Sequence, residues 1–335
     1  MPQFASLLDL KLRQDPDGRM ARAIVEQLSQ SDGIFDDLQW KEANDGSTHL
    51  TTVRTGLPEG TWRQLYQGVE QSKSTTAQVR DACGIFEMRS EIDCALPGLQ
   101  GGGDAAKDFR WSEEASFRLA LKNQLISTLF YGNASITPSK FTGIAARFST
   151  SVAATAASGD NVIKAGGAGV DNTSIYIVAH GGPYANMLYA KGTNAGFSVR
   201  DLSEQDSFDS NQRRFRALHT MYGFNGGFTL GDWRGVVRIA NIDNSDLTKT
   251  GSSGADLVDL VVQGLELLPE EVNQPGVKIG IYSNRTIRSF MRRQMSNKAN
   301  TWLDWGDVGG KKVLTFDDIP WRRCDSILNT EALVP

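Results

Sequence analysis

The segment Glu113–Tyr131 carries the clearest helical pattern in the chain and constrains the fold more than any other feature. Large apolar residues recur in it at the spacing of one helix face, at Phe117, Leu121, Leu125 and Leu129. Ser112 is placed to cap the N-terminus, and Gly132 is placed to end the helix. At 1.5 Å per residue the segment predicts a helix about 28 Å long.

The middle of the chain, residues 172–242, has the turn signals and β-branched runs of antiparallel β-structure. Strands are predicted at Ser174–His180, Met187–Ala190 and Val236–Ala240. Residues 225–227 (Asn-Gly-Gly) lie between two apolar segments, Arg214–Phe224 and Phe228–Leu230, and predict a hairpin turn.

The last third returns to alternating helices and strands. Ser253 is expected to cap a helix from Ala255 to about Leu268. Either Ser283 or Asn284 is expected to cap a second helix, which ends near Lys298. Its outer face holds Arg285, Arg288, Arg292 and Arg293. These arginines could touch phosphates, and the alternative is a solvated face or partners in ion pairs. Together with the preceding β-rich block, this pattern predicts an α+β fold, and 335 residues are about two domains' worth of chain.

A different pattern occupies residues 47–96. A threonine-rich run from Thr48 to Thr55 is followed by the turn 57–60, and the return segment is polar with isolated Trp62, Leu65 and Tyr66. This composition predicts a long extended hairpin whose few large apolar residues need a partner from elsewhere. The alternative is an ordinary hairpin that is exposed to solvent on a monomeric protein. Two short helical patterns precede it in residues 1–46, and a glycine triplet at 101–103 is interpreted as a hinge.

Composition excludes several classes of protein. The net charge of −4 argues against a dedicated binder of nucleic acid or of anionic membranes, which normally carries a basic excess. No apolar run approaches the ~18 residues of a membrane span, and charges interrupt the first 20 residues, unlike a signal peptide. Cys83, Cys94 and Cys324 are an odd number without CxxC spacing, which favours free thiols in a reducing compartment.

Motifs for catalysis or for a cofactor are scarce. A Walker A sequence is absent, and residues 165–169 (Ala-Gly-Gly-Ala-Gly) do not fit a dinucleotide fingerprint. Ser253 stands in Gly-Ser-Ser-Gly-Ala, which lacks the final glycine of a nucleophile elbow. A hydrolase that uses Ser253 with His180 or His219 remains an alternative. No spacing typical of zinc or calcium ligands is present, so we expect no enzyme activity, no cofactor and no metal.

Several stretches carry a family resemblance when they are taken together. They are Arg54-Thr55-Gly56-Leu57-Pro58, Thr61-Trp62-Arg63, Lys73-Ser74-Thr75-Thr76, residues 127–133, Lys140-Phe141-Thr142-Gly143-Ile144, residues 171–175, Asp232-Trp233-Arg234 and residues 237–242. With the order arm, extended loop, glycine hinge and long helix, the chain resembles the major capsid protein of tailed double-stranded DNA bacteriophages. That family has the Hong Kong 97-type fold, and the resemblance is greatest to the form in short-tailed phages (podoviruses).

The resemblance implies a division of the chain into an arm, a loop and two domains. The expected parts are an N-terminal arm (1–47), an extended intersubunit loop (48–98), a peripheral-type domain (99–250) with a spine helix (112–132) and the β-rich block (172–242), and an axial-type α/β domain with the C-terminal segment (251–335). In better-known members the long peripheral strands follow the axial helices, whereas here the β-rich block comes first. We therefore expect either a permuted order of elements or a separate subdomain.

The resemblance also implies a function and partners. The chain would self-assemble into hexamers and pentamers of an icosahedral shell, with T=7 expected, enclosing double-stranded DNA without sequence-specific binding. It would belong to the virion and be assembled in the cytoplasm of the bacterial host, with a scaffolding protein, a portal at one vertex and a cement protein, but no membrane. An encapsulin-like nanocompartment shell is the neighbouring alternative, distinguished by its cargo.

The expected intersubunit contacts lie in the extended loop, at Trp62, Leu65, Tyr66 and Lys73. Some relatives join subunits by a Lys–Asn isopeptide bond. Lys73 lies in the corresponding loop, but no asparagine or buried glutamate is marked as its partner, so we do not expect cross-linking.

Overall fold

The computed structural model describes residues 32–96, 104–250, 254–297, 303–308 and 311–335. The helices expected in the arm before residue 32, the glycine hinge at 101–103 and Ser253 lie outside this part. The chain forms two compact units. The smaller one contains residues 85–127 and 196–225, and the larger one contains residues 31–84, 128–195 and 226–335.

Strands outnumber helices along the described chain. The strands are β1 (Trp40–Glu42), β2 (Thr48–Gly56), β3 (Thr75–Ala82), β4 (Gly84–Asp93), β5 (Val162–Lys164), β6 (Asn172–His180), β7 (Ala185–Tyr189), β8 (Phe197–Phe208), β9 (Arg214–Leu230), β10 (Val236–Asp243), β11 (Lys278–Ser283), β12 (Leu303–Val308), β13 (Lys311–Phe316) and β14 (Ile319–Arg323). The α-helices are α1 (Asp104–Tyr131), α2 (Ile144–Arg147), α3 (Leu257–Glu266) and α4 (Arg285–Asn297). The mixture confirms the predicted α+β class.

The smaller unit combines most of α1 with an antiparallel sheet. β8 pairs with β9 from Phe197↔Phe224 to Phe208↔Arg214, and β4 lies on the other side of β9. Phe117 of the helix stacks on Tyr222 of the sheet with ring centroids 6.0 Å apart. This aromatic contact joins the helix to the sheet.

Helix α1 begins nine residues earlier than the sequence pattern predicts. Asp104 is its first residue, so Ser112 lies inside the helix, and its predicted role as the N-cap is wrong. The added turns contain residues 105–107 (Ala-Ala-Lys), which are strong helix formers. The predicted end is confirmed, because Tyr131 is the last helical residue and Gly132 follows it.

A mixed sheet forms the centre of the larger unit. Its neighbouring strands run in the order β12, β13, β14, β11 and β6, and β10 also pairs with β6. All residues of β6 and β10 are buried. Helices α3 and α4 contribute to one apolar core with these strands, through residues such as Val261 and Met291 packed with Ile177, Ile239 and Trp321.

The hairpin turn predicted at residues 225–227 is wrong. β9 is continuous through these residues, and Gly226 and Gly227 pair with Tyr189 and Leu188 of β7. A Cβ on Gly227 would lie 2.7 Å from the carbonyl oxygen of Ala82, so the glycine permits a close approach of two backbones.

The caps of the last two helices follow local chemistry. Asp256, rather than Ser253, caps α3, since its carboxylate accepts a hydrogen bond from the Asp259 N–H. Asn284 caps α4 by accepting from the Ile287 N–H at 2.9 Å, which confirms one of the two predicted candidates. Both caps satisfy N–H groups that would otherwise have no partner within the helix.

Candidate interaction surface on the extended hairpin

Strands β2 and β3 form a separate two-stranded sheet within the larger unit. They pair from Thr48↔Ala82 to Arg54↔Thr76, with an irregularity before Gly56↔Thr75. All side chains of β3 except Asp81 are exposed. Because an isolated two-stranded hairpin is at best marginally stable in water, this element depends on contacts at its ends.

The base of the hairpin is held by one buried ion pair. Arg147 donates to Asp81 at 2.7 Å, and both side chains are largely buried. The same guanidinium donates to the carbonyl oxygen of Phe228 at 3.2 Å and lies over the Phe228 ring. His49 of β2 is also buried there, and burial is the main cause of its lowered pKa. These contacts fix the root of the hairpin on the body of the larger unit.

The connection between the strands, residues 57–74, is irregular but internally hydrogen-bonded. The Gln64 N–H donates to the Gln67 side chain at 3.2 Å, and the Gln67 N–H donates back to the Gln64 carbonyl at 3.1 Å. Ser72 Oγ donates to the Glu59 carbonyl at 2.7 Å, which ties the outgoing segment to the return. Within this turn Tyr66 has a φ of 71°, an unfavourable backbone for a residue with a side chain.

The predicted contact residues lie together on this connection and face solvent. Trp62, Leu65 and Tyr66 are 101%, 90% and 103% exposed. Lys73 is exposed near the start of β3 and has no ion pair among the described residues. Full exposure of three large apolar side chains within five residues is unusual for a monomer surface and is typical of a contact surface.

The two histidines named as catalytic candidates are buried structural groups. His180 is fully buried, its Nε2 lies 2.9 Å from the Tyr282 hydroxyl, and burial lowers its pKa to about 3. His219 Nε2 lies 2.8 Å from Ser207 Oγ, and both residues are 5% exposed, so a substrate cannot reach this hydroxyl. Ser253, the predicted nucleophile, lies outside the described residues.

Metal ligation and membrane insertion were also considered for the described residues. Among the residues that the structure describes, no group of His, Cys, Asp or Glu side chains is arranged to hold a metal ion. None of the described helices is both long and apolar enough to cross a membrane.

The larger unit contains two buried polar networks that the sequence did not predict. Glu331 accepts hydrogen bonds from Arg238 at 2.7 Å, from Tyr131 and from Ser174. The second network centres on Asp37. It accepts from Arg322 at 2.7 Å and from the Tyr282 hydroxyl at 2.8 Å.

These networks join segments that are far apart in the sequence, so no local motif could have indicated them. They stabilise the unit that carries the hairpin. The Arg147–Asp81 pair at the hairpin base was missed for the same reason, since the two residues are 66 positions apart.

Comparison with known proteins agrees with this architecture. The family model for the major capsid protein GP7 matches residues 15–335. A chain in the near-atomic resolution cryo-EM structure of bacteriophage Epsilon15 is 33% identical, with a TM-score of 0.74 over 99% of this chain and 98% of that one. The capsid of bacteriophage JBD30 shares the fold alone, with 7% identity and a TM-score of 0.50 over 91% and 96% of the two chains. No curated protein matches.

The two stronger matches cover nearly the whole chain and agree with each other. They confirm the resemblance drawn from the sequence motifs, including the fold and the short-tailed phage subgroup. The chain therefore belongs to the major capsid protein GP7 family and is a shell subunit of a tailed bacteriophage, with the Hong Kong 97-type fold.

Proposed function

We propose that the extended loop, residues 48–98, joins neighbouring subunits of the shell, with Trp62, Leu65 and Tyr66 seated on the adjacent copy. The observation that carries this proposal is the full exposure of these three side chains on a turn held by its own hydrogen bonds. Burying a large apolar side chain contributes about 1.5–3 kcal/mol, so the three together would contribute roughly 5–9 kcal/mol before the costs of association.

Lys73 has a different part in this contact. Its ammonium lies on the same exposed loop, and a charged group at the rim of an apolar contact improves orientation more than affinity. We propose a non-covalent role for Lys73, so denatured shells should migrate as single chains in electrophoresis. A ladder of covalent oligomers would contradict this role.

The hairpin is tested by a variant with Trp62→Ala, Leu65→Ala and Tyr66→Ala. Shell formation should fall at least tenfold, measured by sedimentation and electron microscopy, while the thermal unfolding of the free subunit should be unchanged. Gln71→Ala is the matched control, because Gln71 is an exposed polar residue of the same connection. Normal shells from the triple variant would contradict the proposal.

The wider role follows from the family. We propose that the subunits form hexamers and pentamers that close a T=7 shell around double-stranded DNA, without sequence-specific contacts and without enzyme activity. The net charge of −4 supports the lack of tight DNA binding, since a basic excess would be needed for it. Assembly would take place in the cytoplasm of the host, with separate scaffolding, portal and cement proteins.

We further propose that residues 99–250 act as the peripheral-type domain and residues 251–335 as the axial-type domain. The cargo of native particles tests the wider proposal. DNA that resists nuclease until the particles are opened is the expected result. An enclosed enzyme without DNA would favour a nanocompartment shell instead.

A further inference from the structure

An open groove of about 850 Å³ lies along strand β2 in the larger unit. Residues 51–57 line one side of it in unbroken succession, and no residue of β3 lines it. Because neighbouring side chains of a strand point to opposite faces, an unbroken series of lining residues means that β2 presents its edge. The opposite side comes from residues 182–184, 186, 229 and 231–234. We call this space the edge groove.

The backbone of β2 has unpaired groups along this edge. In an antiparallel pair, alternate residues direct their N–H and carbonyl groups away from the partner strand. Leu50 is an outward residue, since its N–H donates to Asn44 Oδ1 at 2.7 Å and its carbonyl accepts from Asn44 Nδ2 at 2.8 Å. Thr52 and Arg54 are the next outward residues, and their backbone groups have no partner within the described residues. An extended segment can continue the pairing that the Asn44 side chain begins.

Two buried side chains in the edge groove also lack partners. His49 and Thr229 are 5% and 2% exposed. The His49 Nδ1 and the Thr229 Oγ1 form no hydrogen bond in the part of the chain that the structure describes. Both residues line the edge groove. A buried polar atom without a hydrogen bond is unfavourable, so a polar group that enters the groove gains from meeting these atoms.

The edge groove carries an excess of positive charge. Asp232 neutralises Arg234, whose Nη2 lies 2.7 Å from Asp232 Oδ2. Lys41 and Arg54 also line the groove and are exposed, and neither has an ion pair among the described residues. Lys41 lies close enough to His49 for its charge to be the second cause, after burial, of the lowered pKa of that histidine. Charge complementarity therefore favours an acidic ligand.

A second copy of this chain is a poor source of an acidic extended segment. The longest irregular segment of the described chain, residues 57–74, has two glutamates that are offset by one arginine and one lysine. Arginines already pair with the three carboxylates of the exposed strand β8, which are Asp201 (Arg110, 2.8 Å), Glu204 (Arg216, 3.1 Å) and Asp206 (Arg214, 4.0 Å).

We propose that the edge groove binds an acidic, extended segment of a separate protein, which adds to β2 as a third strand. The backbone of the segment pairs with Thr52 and Arg54, and its carboxylates meet the free charges of Arg54 and Lys41. A strand of seven residues is about 23 Å long, which matches the length of residues 51–57. This site is additional to the proposed hairpin contact and uses none of its four residues.

The probe is a fluorescein-labelled peptide with blocked ends and the sequence Thr-Glu-Val-Thr-Val-Glu-Thr. Fluorescence anisotropy measures its affinity for the free subunit, and hydrogen–deuterium exchange measures protection of residues 50–56. Binding should slow exchange in this segment, because the added strand pairs with its N–H groups. A peptide with lysine in place of both glutamates, and one with proline in place of the central threonine, should bind at least about tenfold more weakly.

Two variants of the chain test the groove itself. Arg54→Glu reverses a free charge, and Thr52→Pro removes an outward N–H while keeping the pairing with β3. Each should weaken binding of the acidic peptide at least about tenfold, the loss typical of a hydrogen bond to a charged group or of a blocked strand edge. Arg80→Ala is the matched control, because Arg80 is an exposed arginine of β3 that does not line the groove. Thermal unfolding checks that each variant folds.

The expected result is saturable binding of the acidic peptide that both variants weaken. Absence of saturable binding up to about 1 mM peptide would overturn the proposal, and so would binding that leaves exchange in residues 50–56 unchanged. If the wild-type chain binds no peptide and Arg54→Glu abolishes shells, the groove serves a second copy instead. The variant with Trp62→Ala, Leu65→Ala and Tyr66→Ala should bind the peptide normally, so this proposal and the hairpin contact can fail independently.

Discussion

The buried charge of Arg238 makes the replacement of Glu331 by alanine a demanding test of the structure. The side chains of this pair are only 5% and 4% exposed, and they meet at 2.7 Å. Burial is the largest cause of the raised pKa of the Tyr131 and Tyr176 hydroxyls. Both therefore stay protonated and can donate to Glu331. Alanine removes the carboxylate and leaves the guanidinium without its anion.

Removing one partner of a buried pair costs about 3–5 kcal/mol, because the remaining charge is neither solvated nor neutralised. At roughly 2–4 °C per kcal/mol for a unit of this size, Tm should fall by roughly 6–20 °C. Urea unfolding of the free subunit, followed by circular dichroism, measures the loss in free energy of unfolding.

Two further variants separate charge from shape. Glu331→Gln keeps the volume of the side chain and some hydrogen bonds, so its loss should be intermediate. Arg238→Met combined with Glu331→Leu removes both charges and should recover most of the stability, since apolar replacements of buried pairs are often neutral. A loss below about 1 kcal/mol for Glu331→Ala would refute the reasoning.

Three other predictions concern the histidine, glycine and cysteine residues. The pKa of buried His180 is lowered to about 3 from 6.5, so its contribution to stability is complete above pH 6.5 and is lost as the pH falls. The free energy of unfolding should therefore be about 2 kcal/mol lower near pH 5 than above pH 6.5. The variant His180→Gln should flatten the dependence of Tm on pH over this range. Gly227→Ala should lower the free energy of unfolding in urea by about 1–3 kcal/mol, because the new Cβ would lie 2.7 Å from a backbone oxygen. Gly60→Ala is the control and should be neutral, since a Cβ there has no atom within 4 Å. Cys324 is fully buried, whereas Cys83 and Cys94 are partly exposed, so iodoacetamide should label only Cys83 and Cys94 before denaturation, as read by mass spectrometry.

Features with a local chemical cause were predictable from the sequence. The end of α1 at Gly132 and the cap at Asn284 depend on residues within one helical turn. The exposure of Trp62, Leu65 and Tyr66 was predictable because polar residues surround them and offer nothing to bury them against. The family motifs depended on short stretches that are individually weak and became specific in combination.

Features that depend on distant segments were not predictable in this way. Residues 225–227 have the composition of a turn, but β9 continues through them. Gly227 instead allows the backbone of Ala82, about 145 positions earlier, to lie close to this strand. Glu331 is an ordinary glutamate in the sequence, and only the fold places it against Arg238, 93 positions away. The start of α1 was placed late because Ser112 is a good cap in isolation and the preceding residues carry no apolar periodicity.

Cryo-EM of particles assembled by the chain tests the central claim most directly. The account predicts an icosahedral shell in which Trp62, Leu65 and Tyr66 are buried against a neighbouring subunit. A shell in which these three side chains remain exposed to solvent would contradict it.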